Sequence, residues 1–175
     1  MIWRLFSKSR PASSTTAWWA SAAALASSPD ARSIDALERD AVAIADDPDE
    51  HERQVEMIDG LRALLDVSDG ALPTVHTQHR VVGEDSCHFL APASLVHRTD
   101  AAGKIFLTSR RIVFVGGAPA AWPWHRVLQV TRVERDVLIQ LLGHDDVVGV
   151  RCNTYGDALV AAHLAERLAR AARAR

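Results

Sequence analysis

His76, His79, Cys87 and His88 crowd into one short stretch, and their types first raise the chemistry of a metal. Zinc needs four convergent nitrogen or sulfur ligands. The surrounding sequence reads as strand, where positions three apart point to opposite faces and adjacent positions diverge. His76 and His79 therefore do not converge, nor do Cys87 and His88, and no pair stands at a zinc-motif spacing. No metal and no other cofactor is expected. Ser86-Cys87-His88 also sets a thiol beside an imidazole, but adjacent strand residues cannot hydrogen-bond as nucleophile and base. The sequence holds no Gly-x-Ser-x-Gly elbow and no Walker-type glycine loop. The expectation is a protein that is not an enzyme.

Two other groups of side chains could bind rather than react. Arg98, Lys104, Arg110 and Arg111 are cations close in sequence, and clustered cations attract phosphate. The ordinary alternative is a solvated rim with Arg110 or Arg111 paired to a nearby carboxylate. The tryptophans form the second group, because four of the 5 stand in tight pairs. Trp122 and Trp124 are two apart and on a strand share a face, so both fill the core or both are exposed. Trp18 and Trp19 are consecutive and cannot both face one side of a helix. One of them is left to dock on the rest of the chain or to meet a partner, since exposed Trp is favoured at interfaces.

Composition limits what these groups serve. Twenty basic residues stand against 22 acidic ones in 175, a net charge of −2, which argues against a nucleic-acid binder and against an acidic disordered chain. Two cysteines, Cys87 and Cys152, are too few for a disulfide scaffold and read as small buried hydrophobes in a reducing compartment. Basic residues before Ala17–Ala26 imitate a secretory signal, but the run is short, alanine-rich and preceded by Ser13-Ser14-Thr15-Thr16. A capped helix is the better reading. No stretch reaches the roughly 20 apolar residues of a spanning helix, so a cytoplasmic protein is expected.

The elements that must position these side chains change character near residue 70. Up to there the apolar period is helical: a short helix at about 15–27, then a hairpin of helices over about 33–66. Ile34, Leu37, Ala41 and Ile44 lie on one face of its first arm, with Ser33 as N-cap. Val55, Ile58, Leu61 or Arg62, and Leu65 trace the second, with Gly60 inside at a cost of about 1 kcal/mol against alanine. Beyond Pro73 the period approaches two. Strands are predicted at Val75–Val82, Cys87–His97, Lys104–Thr108, Arg111–Val115, Ala121–Trp124, Val127–Val133, Val137–Leu142 and Val147–Cys152. Short, closely spaced strands with no crossover helix mean an antiparallel sandwich or barrel. Pro123, lacking an N–H, belongs at an edge or a bend, and Gly116-Gly117 allows positive φ in a tight connection. A strong helix former follows from Ala158 to Ala174, its Arg167, Arg170, Arg173 and Arg175 suited to the negative end of the helix dipole.

Three segments carry a family likeness. The stretch Gly103-Lys104-Ile105-Phe106-Leu107-Thr108-Ser109-Arg110-Arg111-Ile112-Val113-Phe114 resembles the hairpin of bacterial PH-like and GRAM-like domains. Trp122-Pro123-Trp124-His125-Arg126-Val127-Leu128-Gln129-Val130 is similar to a later strand of that family, and the final helix stands where the family closes its barrel. The likeness covers residues about 79–172. It implies a PH-like antiparallel barrel of about seven strands closed by a helix over 71–175; with the helical segment read from periodicity over 1–70, which lies outside the likeness, the expected class is α+β.

Eukaryotic relatives of the fold often bind phosphoinositides through a basic residue ending the first strand and two basic residues spaced two apart on the second. Arg98 and Lys104 fit that pattern loosely, but Phe106 stands where the next cation should be. The function implied is a non-enzymatic binding or adaptor module with a protein partner and no nucleic acid. Its anionic-ligand candidates are Arg98, Lys104, Arg110 and Arg111, and its interaction candidates Trp18, Trp19, Trp122 and Trp124. Peripheral contact with anionic lipid is the runner-up, and a small-ligand or catalytic scaffold the third reading.

Overall fold

The computed structural model describes residues 13–44, 47–68, 70–96, 102–143 and 147–174. Three helices come first: α1 (Ser13–Ser27), α2 (Ala31–Ile44) and α3 (Pro48–Ser68). Seven strands follow: β1 (Cys87–Leu95), β2 (Ala102–Thr108), β3 (Arg111–Gly116), β4 (Ala120–Pro123), β5 (Val127–Val133), β6 (Asp136–Leu141) and β7 (Val148–Cys152). Helix α4 (Tyr155–Arg173) closes the order.

All strand pairs are antiparallel, in one sheet of order β4-β3-β2-β1-β7-β6-β5. This order, curled around one core and plugged by a terminal helix, is the PH-like architecture. Ile105, Leu107, Ile112 and Phe114 share the inner face with Phe89, Ala91, Val130 and Ile139, as their alternation predicts. Pro123 ends β4, an edge strand, where its missing donor leaves no ladder bond unmade.

The inner core is sealed by α4, whose Ala158, Ala161, Leu164, Ala165 and Leu168 all enter it. Thr154 caps this helix: its hydroxyl accepts the N–H of Asp157 at 2.9 Å. At the other end Arg173 donates to the carbonyls of Val127 (2.9 Å) and Leu128 (3.3 Å). Arg167 donates to those of Val67 and Gly70. Two of the expected dipole partners are thus clamps on neighbouring backbone.

The helices form a second core around Trp18, Ile34, Leu37, Met57, Ile58 and Leu61, and Leu159 of α4 enters it too. Helices α3 and α4 cross at Gly60 and Gly156, so closely that a Cβ on Gly60 would fall 2.5 Å from the Cα of Gly156. The glycine that weakened the helical reading is what permits the crossing.

Four local expectations are corrected. Val75–Val82 is no strand: the segment lies over the outer face of β1–β3, where Val82 packs with Cys87, Phe106 and Val113. The N-cap of α2 is Asp30 rather than Ser33. Its carboxylate accepts the Ser33 N–H at 2.9 Å, and hydrogen bonds from Ser33 hold it below the ordinary carboxylate range. The buried stripe of α3 is rotated: Gln54, Met57, Ile58, Leu61 and Leu64 are buried, while Val55 is exposed and Arg62 pairs with Glu38 at 2.6 Å. Finally, Gly116 does not adopt positive φ; its role is close approach, since a Cβ there would lie 2.5 Å from the Ala102 carbonyl oxygen.

Gln54 is fully buried, yet neither its amide oxygen nor its nitrogen has a hydrogen-bond partner. An unsatisfied buried amide costs about 1–3 kcal/mol, and an apolar residue of like shape removes that cost. Gln54→Met is therefore expected to raise stability by about 1 kcal/mol, read as a higher urea midpoint at unchanged slope.

Candidate functional site

The predicted cation group divides. Arg98 lies outside the described residues. Lys104 is exposed on β2 opposite Val115, at the far end of the hairpin from Arg111, about 13 Å away at 3.3 Å per residue. Arg110 and Arg111 instead meet at the carboxylate of Asp85, whose side chain is 5% exposed, at 3.2 and 3.5 Å.

Thr108 organises this corner. Its hydroxyl donates to Asp85 at 3.0 Å and accepts the N–H of Arg111 at 3.1 Å, closing the β2–β3 turn. Its carbonyl accepts the indole N–H of Trp124 at 2.7 Å. This network explains why Thr and Arg stand three apart in the hairpin motif. Asp85 carries no motif of its own: the sequence Gly83-Glu84-Asp85 reads only as a turn.

The tryptophans face inward to different degrees. The strand ends at Pro123, and Trp124 opens a 3₁₀ turn, so the two-residue spacing no longer places it level with Trp122. Trp124 is fully buried and Trp122 half-buried against the barrel core. Trp18 is buried and donates to the Leu37 carbonyl at 2.9 Å. Trp19 is half-buried, donates to Glu50 at 2.6 Å and packs on Tyr155 of α4, ring centroids 5.3 Å apart. The second tryptophan of that pair thus docks on the helix that closes the barrel.

The histidines and cysteines scatter. His88 Nδ1 lies 2.7 Å from the Pro73 carbonyl, and His79 packs on Phe106 at 4.9 Å. Among the described residues no group of three or more His, Cys, Asp or Glu is arranged to hold a metal. Cys87 sits in the outer cluster and Cys152 in the inner core, both buried and both free.

Burial raises both thiols, and Cys152 is pushed up to about 12, with Asp157 and Asp136 adding to the effect. The thiolate is the reactive form, and at pH 8 a thiol of pKa 12 is about one part in ten thousand ionised. Iodoacetamide at pH 8 is expected to label Cys152 of the native protein at least about 100-fold more slowly than in guanidinium. Mass spectrometry of timed samples reads the rates.

One concave surface was not visible in the sequence. Strand β5 is the second edge of the sheet, and beside it runs a groove of about 240 Å³ bounded by α4. Val127 and Val130 form its floor, Ala169 its helix side, and Glu166, Arg170 and Arg173 its rim. Leu128, displaced outward by a register shift between Val127 and Gln129, is 48% exposed at its mouth. No motif announces it, because its two walls lie some forty residues apart.

No known family model matches the sequence, and no curated protein matches it. Among solved structures it is similar to the C-terminal domain of an unknown protein from Leishmania infantum, at 10% identity over 50% of this chain and 88% of that one, TM-score 0.43. It is also similar to the DH/PH fragment of PDZRHOGEF solved with human RhoA, at 13% identity over 91% of this chain and 54% of that one, TM-score 0.45. The DH/PH domains of p115-RhoGEF are similar at 7% identity over 89% of this chain and 55% of theirs, TM-score 0.44. The chain spans about half the length of these two DH/PH chains.

Proposed function

We propose that this chain is a non-catalytic adaptor module that takes an extended segment of a protein partner along β5, in the groove against α4. The observation that carries the reading is an edge strand with a partly open groove beside it, its floor valine and its rim charged. An unpaired edge offers backbone donors and acceptors, and adjacent pockets take alternate side chains. Arg170 and Arg173 outnumber Glu166 on the rim, so the preferred segment is acidic. Arg173 already occupies the carbonyls of Val127 and Leu128, which sets the N-terminal limit of the pairing edge. Within the PH-like class the likeness of the Gly103–Phe114 hairpin supports a bacterial PH-like or GRAM-like module, and the free thiols support a cytoplasmic setting.

Selection from a random peptide library, followed by amide chemical-shift mapping, tests this. Selected peptides should be acidic, perturb β5 and α4, and lose at least tenfold in affinity to Leu128→Asp and to Arg170→Glu. Perturbation confined to other surfaces would overturn the reading.

The lipid alternative rests on Arg98, Lys104, Arg110 and Arg111, two of which share the carboxylate of Asp85. Absence of co-sedimentation with anionic vesicles at low salt, where such contacts are strongest, removes it.

A further inference from the structure

Three arginines from separate elements converge on Tyr155, the single tyrosine of the chain. Arg53 of α3 and Arg132 of β5 line one cleft with its side chain, and Arg135 stands with Cζ 5.8 Å from its ring centroid. Trp19 packs against the same ring. Between these side chains lies a solvent-open cleft of about 320 Å³, joining the helical layer to the β5–β6 turn. Its size falls at the lower end of small-molecule sites. It sits at the opposite end of β5 from the peptide groove.

The cleft is lined by two acidic and two basic side chains, unevenly paired. Arg53 pairs with Glu50 at 3.2 Å, and Glu50 also receives the Trp19 indole. Arg135 donates to the Asn153 carbonyl at 2.9 Å and remains exposed. Arg132 is half-buried, in register with the core residue Val137. Its one hydrogen bond runs from Nη1 to the Glu134 carbonyl at 2.9 Å, and among the described residues no carboxylate pairs with it.

Glu134 holds φ at +53°, a left-handed conformation that non-glycine residues seldom adopt. Burial also holds Arg132 below the ordinary guanidinium range. A buried charge is costly unless paired. Among the described residues the Nε–Nη2 edge of Arg132 has no hydrogen-bond acceptor, and such an edge matches a planar carboxylate in two parallel hydrogen bonds. Glu50 and Glu134 on the rim repel a dianion more than a monoanion, which favours carboxylate over phosphate.

We propose that this cleft binds a small aromatic carboxylate, its charge on Arg132 and its ring against Trp19 and Tyr155.

The test is a titration of the protein with benzoate at constant ionic strength, following the Trp19 indole N–H signal, assigned by its loss in Trp19→Phe. The signal is expected to shift to saturation by about 10 mM, the range of a millimolar site. Benzamide, of the same shape without the charge, should bind at least tenfold more weakly. Arg132→Gln should weaken benzoate at least tenfold and Arg132→Lys less, since lysine keeps the charge and loses the fork. Circular dichroism confirms that the variants fold; if they do not, the benzoate and benzamide comparison on the unaltered protein decides alone. Equal response to benzamide, no saturation by about 10 mM, or tighter binding of phenyl phosphate than of benzoate would each overturn the proposal.

Discussion

Replacing Gly60 with alanine is expected to destabilise the protein by about 2–3 kcal/mol, although the same change favours an isolated helix by about 1 kcal/mol. Helix propensity and packing oppose each other here, and packing wins. The added methyl would lie 2.5 Å from the Cα of Gly156 and 3.1 Å from its carbonyl oxygen. Both are backbone atoms and cannot rotate away, so the helices must separate and open the core around Ile58, Leu61 and Leu159.

Gly156→Ala meets the same barrier from the other side, its Cβ 2.6 Å from the Glu56 carbonyl oxygen. Once one substitution has moved the helices apart, the second methyl finds room. The double variant should therefore cost clearly less than the sum of the singles, a coupling that a double-mutant cycle measures. In thermal unfolding each single should lose about 5–10 °C. A stabilised Gly60→Ala would show that α3 and α4 do not cross at this point.

Trp124→Ala carries the other large effect, about 3–5 kcal/mol, close to the whole stability of many domains. The side chain is 1% exposed, so its removal leaves a cavity in the barrel core. It also strips the Thr108 carbonyl of its indole donor at the turn that holds Asp85, Arg110 and Arg111 together. Trp124→Phe separates the two losses: most of the ring stays, and the orphaned carbonyl alone costs about 1–3 kcal/mol. Trp122→Ala, at a half-buried position two residues away, should cost about 1 kcal/mol. Chemical denaturation of the three variants ranks them; equal losses at Trp122 and Trp124 would contradict the packing described.

What the sequence disclosed follows the range of the interactions. Alternation of side chains is local, so β5 begins and ends at Val127 and Val133 as expected, and Ile105, Leu107, Ile112 and Phe114 face the core. Spacing of 3 and 4 likewise placed Ile34, Leu37 and Ala41 on the buried side of α2. The errors arose where a local pattern met a distant partner. Val75–Val82 alternates like a strand but packs its valines on a sheet face instead of joining the ladder. The stripe of α3 was misjudged because α4, a hundred residues on, decides which side of α3 is buried. The Arg132 cleft draws on α1, α3, β5 and α4, and a window of sequence holds only one of its walls at a time. Asp85 was hidden for a simpler reason: a carboxylate in a turn looks the same whether it faces water or two arginines.

Helix α4 belongs to two cores at once, lending Leu159 to the helical layer and most of its alanines and leucines to the barrel. It is also the last of these elements in chain order. During synthesis, chains with two cores usually complete the first while the second is still being made. Here the first core stays one wall short. Until residues 155–173 leave the ribosome, the three helices lack the partner that Gly60 is shaped to meet, and the strands surround a core with one wall missing. Both nascent halves are completed by the same late segment, so a lesion in α4 reaches both cores at once.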